Sequence, residues 1–183
     1  LDVIVSYYYQ KVHREQNVLR LDMDINEFII HEIYGLERHC EFMLKMIAFV
    51  EKHTNSLILS YEDLQKAPKE TYNKLFKFIG VDLIEDSLLQ AIEVSEFDKM
   101  QQVEIDNSLG GVFRGGVGRL SMRDWDGDIK KLKVRQGEIN GWQNEETLDI
   151  NILFSLIKTP TIKSYLKLLA DMYESSSLKD IIR

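Results

Sequence analysis

One short stretch of this 183-residue chain has the character of a buried β-strand, and it stands among helical patterns. Residues 56–60, Ser-Leu-Ile-Leu-Ser, form an apolar run of strand length that follows the turn residue Asn55. A strand without neighbours leaves the hydrogen-bonding groups of both its edges unpaired. The chain is therefore either an all-α protein, in which this run is not a strand, or part of an α/β domain whose remaining sheet lies upstream. We favour the α/β alternative.

The first residues of the chain fit that alternative. The chain opens directly on the apolar run Leu1-Asp2-Val3-Ile4-Val5 and not on Met. We therefore expect an incomplete, mostly helical C-terminal portion of one α/β domain, although a processed N-terminus would look the same.

A strong helical period covers residues 26–53. Apolar residues recur there at spacings of three and four, as on a helix that buries one face. This stripe consists of Leu36, Cys40, Met43, Ile47 and Val50. Gly35 is expected to divide the stretch into two helices.

A further helix is predicted to begin at Pro68, because proline has no N–H to lose in a first helical turn. Its predicted buried stripe is Tyr72, Leu75, Phe76 and Ile79. Gly80 follows at the position where a left-handed cap is expected.

The remaining pattern predicts helices around one long loop. Residues 85–103 read as one or two helices with a break near Ser95, and two more cover 146–158 and 160–174. Five of the ten glycines fall between Gly110 and Gly118, within residues 104–133. Loops of this length in a compact domain are usually lids, binding loops or disordered segments, so a flexible loop is predicted here.

The overall charge excludes some partners. The formal net charge is −7, so the bulk composition favours neither nucleic acid nor an anionic membrane, and any anionic ligand needs a local cluster of donors. The single cysteine, Cys40, rules out an internal disulfide and favours a reducing compartment. No apolar run is long enough for a transmembrane segment. We expect a cytoplasmic protein, with the Golgi lumen as the alternative.

The strand-like run leads into the stretch Leu57-Ile58-Leu59-Ser60-Tyr61-Glu62-Asp63-Leu64, which continues to Phe78-Ile79-Gly80-Val81. Ligands collect at the carboxyl ends of strands in α/β sheets, and Tyr61 could offer a ring edge and a hydroxyl to a purine there. The alternative is that Tyr61 only packs and that Glu62 and Asp63 begin a turn.

A second stretch, Val134-Arg135-Gln136-Gly137-Glu138-Ile139-Asn140-Gly141-Trp142, carries anion-binding chemistry. Arginine presents a planar fork of donors that matches phosphate oxygens. A glycine beside it lets backbone N–H groups approach an anion without a Cβ in the way. The alternative is a surface turn with a solvated Arg135.

Two further stretches have competing interpretations. Val3, Ile4 and Val5 alone favour a strand at the start of the chain. In Val94-Ser95-Glu96-Phe97-Asp98-Lys99-Met100, Phe97 and Met100 stand at helical spacing and read most simply as core residues.

Together the four stretches, in this order and at comparable separations, resemble the family of sulfotransferases that use 3′-phosphoadenosine 5′-phosphosulfate (PAPS). The resemblance implies a helix after Leu1, with Ser6 at a position that binds the 3′-phosphate. It places Ser95 and Phe97 against the adenine, Phe97 by stacking, and it puts Tyr61 in the same nucleotide-binding set. It further assigns the 3′-phosphate to the segment Arg135, Gln136 and Gly137. The chain departs from the family pattern where Gln136 replaces a lysine and where Asn140-Gly141 replaces Gly-Asp; asparagine tolerates a left-handed turn.

The resemblance implies a P-loop-NTPase-like sulfotransferase fold and transfer of a sulfuryl group from PAPS, as cosubstrate, to an acceptor hydroxyl or amine. The implied partners are the nucleotide and an unidentified acceptor, with no nucleic acid. The family's lysine-bearing phosphate loop and its catalytic base precede the serine stretch, so no catalytic residue is assigned in this chain, and the isolated chain is expected to be inactive. The alternatives are a helical interaction module, or a degenerate relative that binds nucleotide without chemistry.

No metal site is predicted. Asp124, Asp126 and Asp128 alternate as in a calcium loop, but Gly127 is misplaced and Arg135 stands where the bidentate glutamate belongs, which favours a solvated acidic turn. The family's dimerisation motif is matched only at Thr147-Leu148, so the oligomeric state is left open.

Overall fold

The computed structural model describes residues 1–15, 20–106 and 127–172. The described residues form nine α-helices and three shorter helical turns. The α-helices are α1 (Asp2–Tyr9), α2 (Ile25–Ile30), α3 (Leu36–Glu51), α4 (Tyr61–Lys66), α5 (Pro68–Ile79), α6 (Glu85–Val94), α7 (Phe97–Asp106), α8 (Ile150–Leu156) and α9 (Pro160–Met172). The short turns are a π-helix at Gln10–Arg14 and 3₁₀-helices at Ile129–Lys131 and Gly141–Asn144.

The chain divides into two compact units. Unit 1 comprises Leu1–Val12, Leu21–Lys52 and the described residues from Asn140 onward, and therefore holds α1, α2, α3, α8 and α9. Unit 2 comprises His13–Arg20 and His53–Ile139 in their described parts, and holds α4 to α7.

Unit 1 is built around Phe28, whose side chain is 0% exposed. The rings of Tyr7 and Tyr8 meet the Phe28 ring edge-on at 5.6 and 5.5 Å, and Tyr34 stacks on it at 6.0 Å between centroids. Edge-to-face and offset geometries are the favourable ones for aromatic pairs. Aliphatic side chains from α1, α2, α8 and α9 complete the same cluster, among them Ile4, Val5, Ile29, Leu153 and Ile162.

The first residues form a helix, as the family resemblance predicted and as local propensity did not. Ile4 and Val5 are buried on one side of α1, while Val3 is exposed. Burial of this apolar face outweighs the β-propensity of the Val-Ile-Val run, because propensity differences are small beside the burial of whole side chains.

The predicted division of residues 26–53 into two helices at Gly35 is confirmed. Gly35 stands immediately before α3 as its N-cap, and three members of the predicted stripe, Leu36, Cys40 and Ile47, are buried. A Cβ at residue 35 would overlap the carbonyl oxygens of Ile29 and His31, so the chain between α2 and α3 passes too close for any larger residue.

Unit 2 begins with two helices that share a junction. The Ser60 side chain caps α4 by accepting a hydrogen bond from the Asp63 N–H at 3.0 Å. Buried Thr71 donates to the carbonyls of Asp63 and Ala67, which ties α5 to the end of α4. Pro68 opens α5, as predicted, and Gly80 ends it with φ +70°.

One member of the predicted α5 stripe is misplaced. Tyr72, Leu75 and Phe76 are half-buried, but Ile79 is 54% exposed. Ile79 is the last residue of α5, where the chain turns away through Gly80, so helical spacing alone overstates its burial.

The strand predicted at residues 56–60 is wrong for the described chain. The segment contains no strand, although Ser60 has extended backbone angles of −90° and 150°, and both Leu57 and Ile58 are exposed. An extended run becomes a strand only when a neighbour accepts its hydrogen bonds, and none of the described residues provides one. The described part of the chain is thus mostly helical, which fits a portion of an α/β fold.

The later helices occur where they were predicted, but their bounds differ from the predicted ranges. The break near Ser95 is present, since α6 ends at Val94 and α7 begins at Phe97. The stretch 146–158 contains α8 only at Ile150–Leu156, and Pro160 opens α9. Most of the predicted loop at 104–133, including Gly110–Gly118, Asp124 and Asp126, lies outside the described residues.

In the ranges that the structure describes, no helix is long and apolar enough to cross a bilayer.

We predict that Phe28→Ala destabilises the protein by about 3–5 kcal/mol, because it removes a fully buried ring and leaves a cavity. Phe42→Ala is the matched control, since Phe42 lies on α3 and is 56% exposed; it should change the unfolding free energy by less than about 0.5 kcal/mol. Urea unfolding followed by circular dichroism measures both. Equal effects of the two substitutions would contradict the assignment of the core.

Candidate functional site

Tyr61 and Gly137 are joined by a hydrogen bond although 76 positions separate them in sequence. The Tyr61 hydroxyl, at the first residue of α4, donates to the Gly137 carbonyl oxygen at 2.9 Å. The Tyr61 side chain remains 49% exposed. The sequence predicted that the Tyr61 hydroxyl could face a purine, but this hydroxyl is bonded to the backbone at Gly137. Only the exposed part of the Tyr61 ring can contact a ligand.

Phe97 packs directly on Gly137. A Cβ placed on Gly137 would overlap the Phe97 ring, with the ring Cγ at 2.9 Å and Cε2 at 3.1 Å. Gly137 does not have a positive φ, unlike Gly80 and Gly127. The glycine is therefore required by the ring that covers it, whereas the sequence predicted that it leaves room for an anion.

Two polar residues of α7, which the sequence interpretation missed, hold the segment just before Gly137. The Glu104 carboxylate accepts from the N–H of Lys133 at 2.9 Å and from that of Val134 at 2.8 Å. The Gln101 amide donates to the Val134 carbonyl at 2.8 Å and to the Arg135 carbonyl at 3.4 Å. Phe97, Gln101 and Glu104 are four and three residues apart, which places them on one face of the helix. That spacing was readable, but polar residues on a helix are usually solvated and gave no reason to single these out.

Arg135 and Gln136 lie on this anchored segment. The Arg135 guanidinium donates through Nη1 to the Gln136 side-chain oxygen at 3.1 Å, and both residues are half-buried. The glutamine that replaces the family's lysine thus orients the arginine and adds no positive charge of its own.

Ser95 and Ser6 are both exposed. Ser95 is exposed at the C-terminal cap of α6, two residues before Phe97. Ser6 is an exposed residue of α1 in unit 1, whereas the other predicted site residues all belong to unit 2. The structure brings Tyr61, Phe97 and Gly137 together, with Arg135 and Gln136 on the same segment.

The end of the second motif belongs to unit 1 and is held by Asp2. The Asp2 carboxylate accepts from the Asn140 N–H at 2.9 Å and from the Trp142 N–H at 2.8 Å. Asn140 is left-handed with φ 65° and ψ 22°, which confirms that the turn survives where asparagine stands. Asp2 stands in the first turn of α1, and it also fixes the start of the 3₁₀-helix at Gly141–Asn144.

Cys40, on α3, is buried. Burial raises the pKa of the Cys40 thiol to about 11, so the thiol is protonated at neutral pH and is a poor nucleophile. Within residues 1–15, 20–106 and 127–172, no group of three His, Cys, Asp or Glu side chains is arranged to hold a metal ion.

The chain matches the model of the sulfotransferase domain over residues 1–155, and it belongs to that family. The family transfers sulfuryl groups and generally uses PAPS as the donor. No curated protein and no solved structure matches the chain.

We predict that Gly137→Ala destabilises unit 2 by about 1–3 kcal/mol, because the new methyl group overpacks against the Phe97 ring. The measurement is a double-mutant cycle in urea unfolding with Phe97→Ala. In the Phe97→Ala background the added methyl has room, so the cost of Gly137→Ala should fall to less than about half. An unchanged cost in both backgrounds would show that Gly137 is required for another reason.

Proposed function

We propose that this chain supplies the adenine and 3′-phosphate side of the PAPS site of a sulfotransferase. Family membership supports the general chemistry, and the arrangement of Tyr61, Phe97 and the segment Arg135–Gly137 in unit 2 supports the assignment of the donor.

The observation that carries the proposal is the contact of three separate sequence stretches at Gly137. Tyr61 reaches its carbonyl and Phe97 covers its Cα, so an aromatic ring lies beside a backbone segment that carries Arg135. A site for 3′-phosphorylated adenosine needs both elements close together. The base requires a flat apolar surface, and the phosphate requires a forked cation.

Each residue has a distinct role in this proposal. Phe97 stacks on the adenine, and Ser95 at the preceding helix end hydrogen-bonds the base. Arg135 forms a charge-assisted hydrogen bond to the 3′-phosphate, with Gln136 orienting the guanidinium. Ser6, on α1 in unit 1, stays a prediction of the family resemblance.

PAPS brings the reactive sulfuryl group, which leaves by in-line displacement when an acceptor attacks it. The residues assigned in this chain bind and orient the nucleotide, and none of them donates or removes a proton. We therefore expect the isolated 183-residue chain to bind the donor without transferring sulfuryl to an acceptor. Turnover by the isolated chain would contradict this expectation.

We predict that Arg135→Ala weakens binding of adenosine 3′,5′-bisphosphate by about 2 kcal/mol, or roughly thirtyfold in Kd, since a charged hydrogen bond to phosphate is lost. Binding of AMP, which has no 3′-phosphate, should change by less than about twofold. Isothermal titration calorimetry on the chain measures both ligands.

Arg20→Ala is the control, because it removes the same charge from an exposed residue of unit 2. It should leave both affinities unchanged. If the unmodified chain shows no preference for the bisphosphate over AMP, the proposed site is wrong and the interaction-module alternative is favoured.

We predict that Gln136→Lys strengthens bisphosphate binding by about 1 kcal/mol, because the added charge near the phosphate outweighs the loss of the Gln136 oxygen that accepts from Arg135, and this gain falls with salt. AMP affinity should stay the same. Titrations at low and high ionic strength measure the gain; a lysine that tightens both ligands equally would show that residue 136 does not face the 3′-phosphate.

A further inference from the structure

We propose that Glu104 and Gln101 are positioning residues that set the backbone around Arg135, so that its guanidinium meets the 3′-phosphate in one orientation. This inference rests on the proposed function, and it names the residues that give the site its selectivity for a 3′-phosphorylated nucleotide.

Glu104 is the more unusual of the two. Its side chain is only 2% exposed, yet it ends in a carboxylate. Burying such a group is costly unless its oxygens are satisfied. Each oxygen accepts one backbone N–H, from Lys133 and from Val134, so the two consecutive amides are held in a single orientation.

Gln101 fixes the next two peptide planes. Its amide nitrogen donates to the carbonyls of Val134 and Arg135, which are the planes on either side of the Arg135 Cα. No cis peptide occurs among the described residues, so the N–H of each plane points opposite to its carbonyl. With both flanking planes held, the φ and ψ angles of Arg135 are set, and with them the direction in which its side chain leaves the backbone.

The same helix also carries Phe97. Because Phe97, Gln101 and Glu104 occupy one face of α7, the ring proposed for the adenine and the anchors of the phosphate segment belong to one rigid element. Binding to a segment already held in place loses less conformational entropy than binding to a loose one. Glu104 and Gln101 hold the segment that carries Arg135, whereas Phe97 is held by α7 itself. Loss of either anchor should therefore lower the affinity for the 3′-phosphate and leave the affinity for the base unchanged.

Glu104→Gln tests the first anchor in the full 183-residue chain. The carboxamide keeps one acceptor oxygen but turns an NH₂ group toward the second backbone N–H. We expect the Kd for adenosine 3′,5′-bisphosphate to rise roughly tenfold, as for loss of a hydrogen bond to a charged group. The Kd for AMP should change by less than about twofold, so that the ratio of the two constants collapses.

Gln101→Leu tests the second anchor without the buried charge. Gln101 is half-buried and uncharged, so replacing it leaves no buried charge unpaired, and the same loss of selectivity is expected if Glu104→Gln fails to fold. Glu70→Gln is the control, because it makes the same chemical change at an exposed residue of α5. Amide hydrogen exchange should accelerate at residues 133–135 in both anchor variants, with α5 unaffected.

The outcomes separate the two proposals. If the unmodified chain prefers the bisphosphate and the anchor variants lose that preference alone, positioning is supported. If the variants keep the preference, or lose affinity for both nucleotides together with faster exchange in α5, Glu104 and Gln101 only stabilise the fold and the inference is overturned. If the unmodified chain shows no preference, the proposed function fails first and the inference falls with it.

Discussion

The non-helical segment between Leu132 and Gly141 depends on side chains for its backbone hydrogen bonds. Helices satisfy their own N–H and C=O groups, but a segment of this kind cannot, and unpaired backbone groups are costly away from water. Within unit 2 the partners are Glu104, Gln101 and Tyr61. Within unit 1 the partner is Asp2, which holds two further N–H groups. The segment that carries Arg135 is thus held by three side chains from outside it, Glu104, Gln101 and Tyr61.

Local chemistry was sufficient to predict most of the helices, because their ends carry residues whose physical roles are fixed. Pro68 and Pro160 open helices where a missing N–H does no harm, and Gly80 closes one with a positive φ. The helix at Asp2–Tyr9 could not be predicted from local chemistry, because Val3 to Val5 favour a strand. Only the family resemblance pointed to a helix there. The prediction of one domain over the whole chain stays a prediction.

The sequence could not show which residues far apart along the chain pack or hydrogen-bond together. The run at 56–60 has the composition of a strand, but a strand is defined by its neighbour, and none lies in the described residues. Glu104 and Gln101 look like solvated helix residues until the fold brings residues 133–135 to them. The reason for Gly137 was likewise hidden, because the ring that covers it comes from a position 40 residues earlier.

The simplest alternative for the Arg135 segment was a surface turn with a solvated arginine. A turn of that kind satisfies itself or is satisfied by water, and it does not need a buried acid beneath it. Here Glu104 is almost fully buried, and each of its carboxylate oxygens accepts a hydrogen bond from one of two adjacent backbone amides. The two hydrogen bonds offset the cost of burying the carboxylate, and they hold both amides in one orientation. Orientation matters most for a forked, directional donor such as a guanidinium, and the residue that follows these two amides is Arg135.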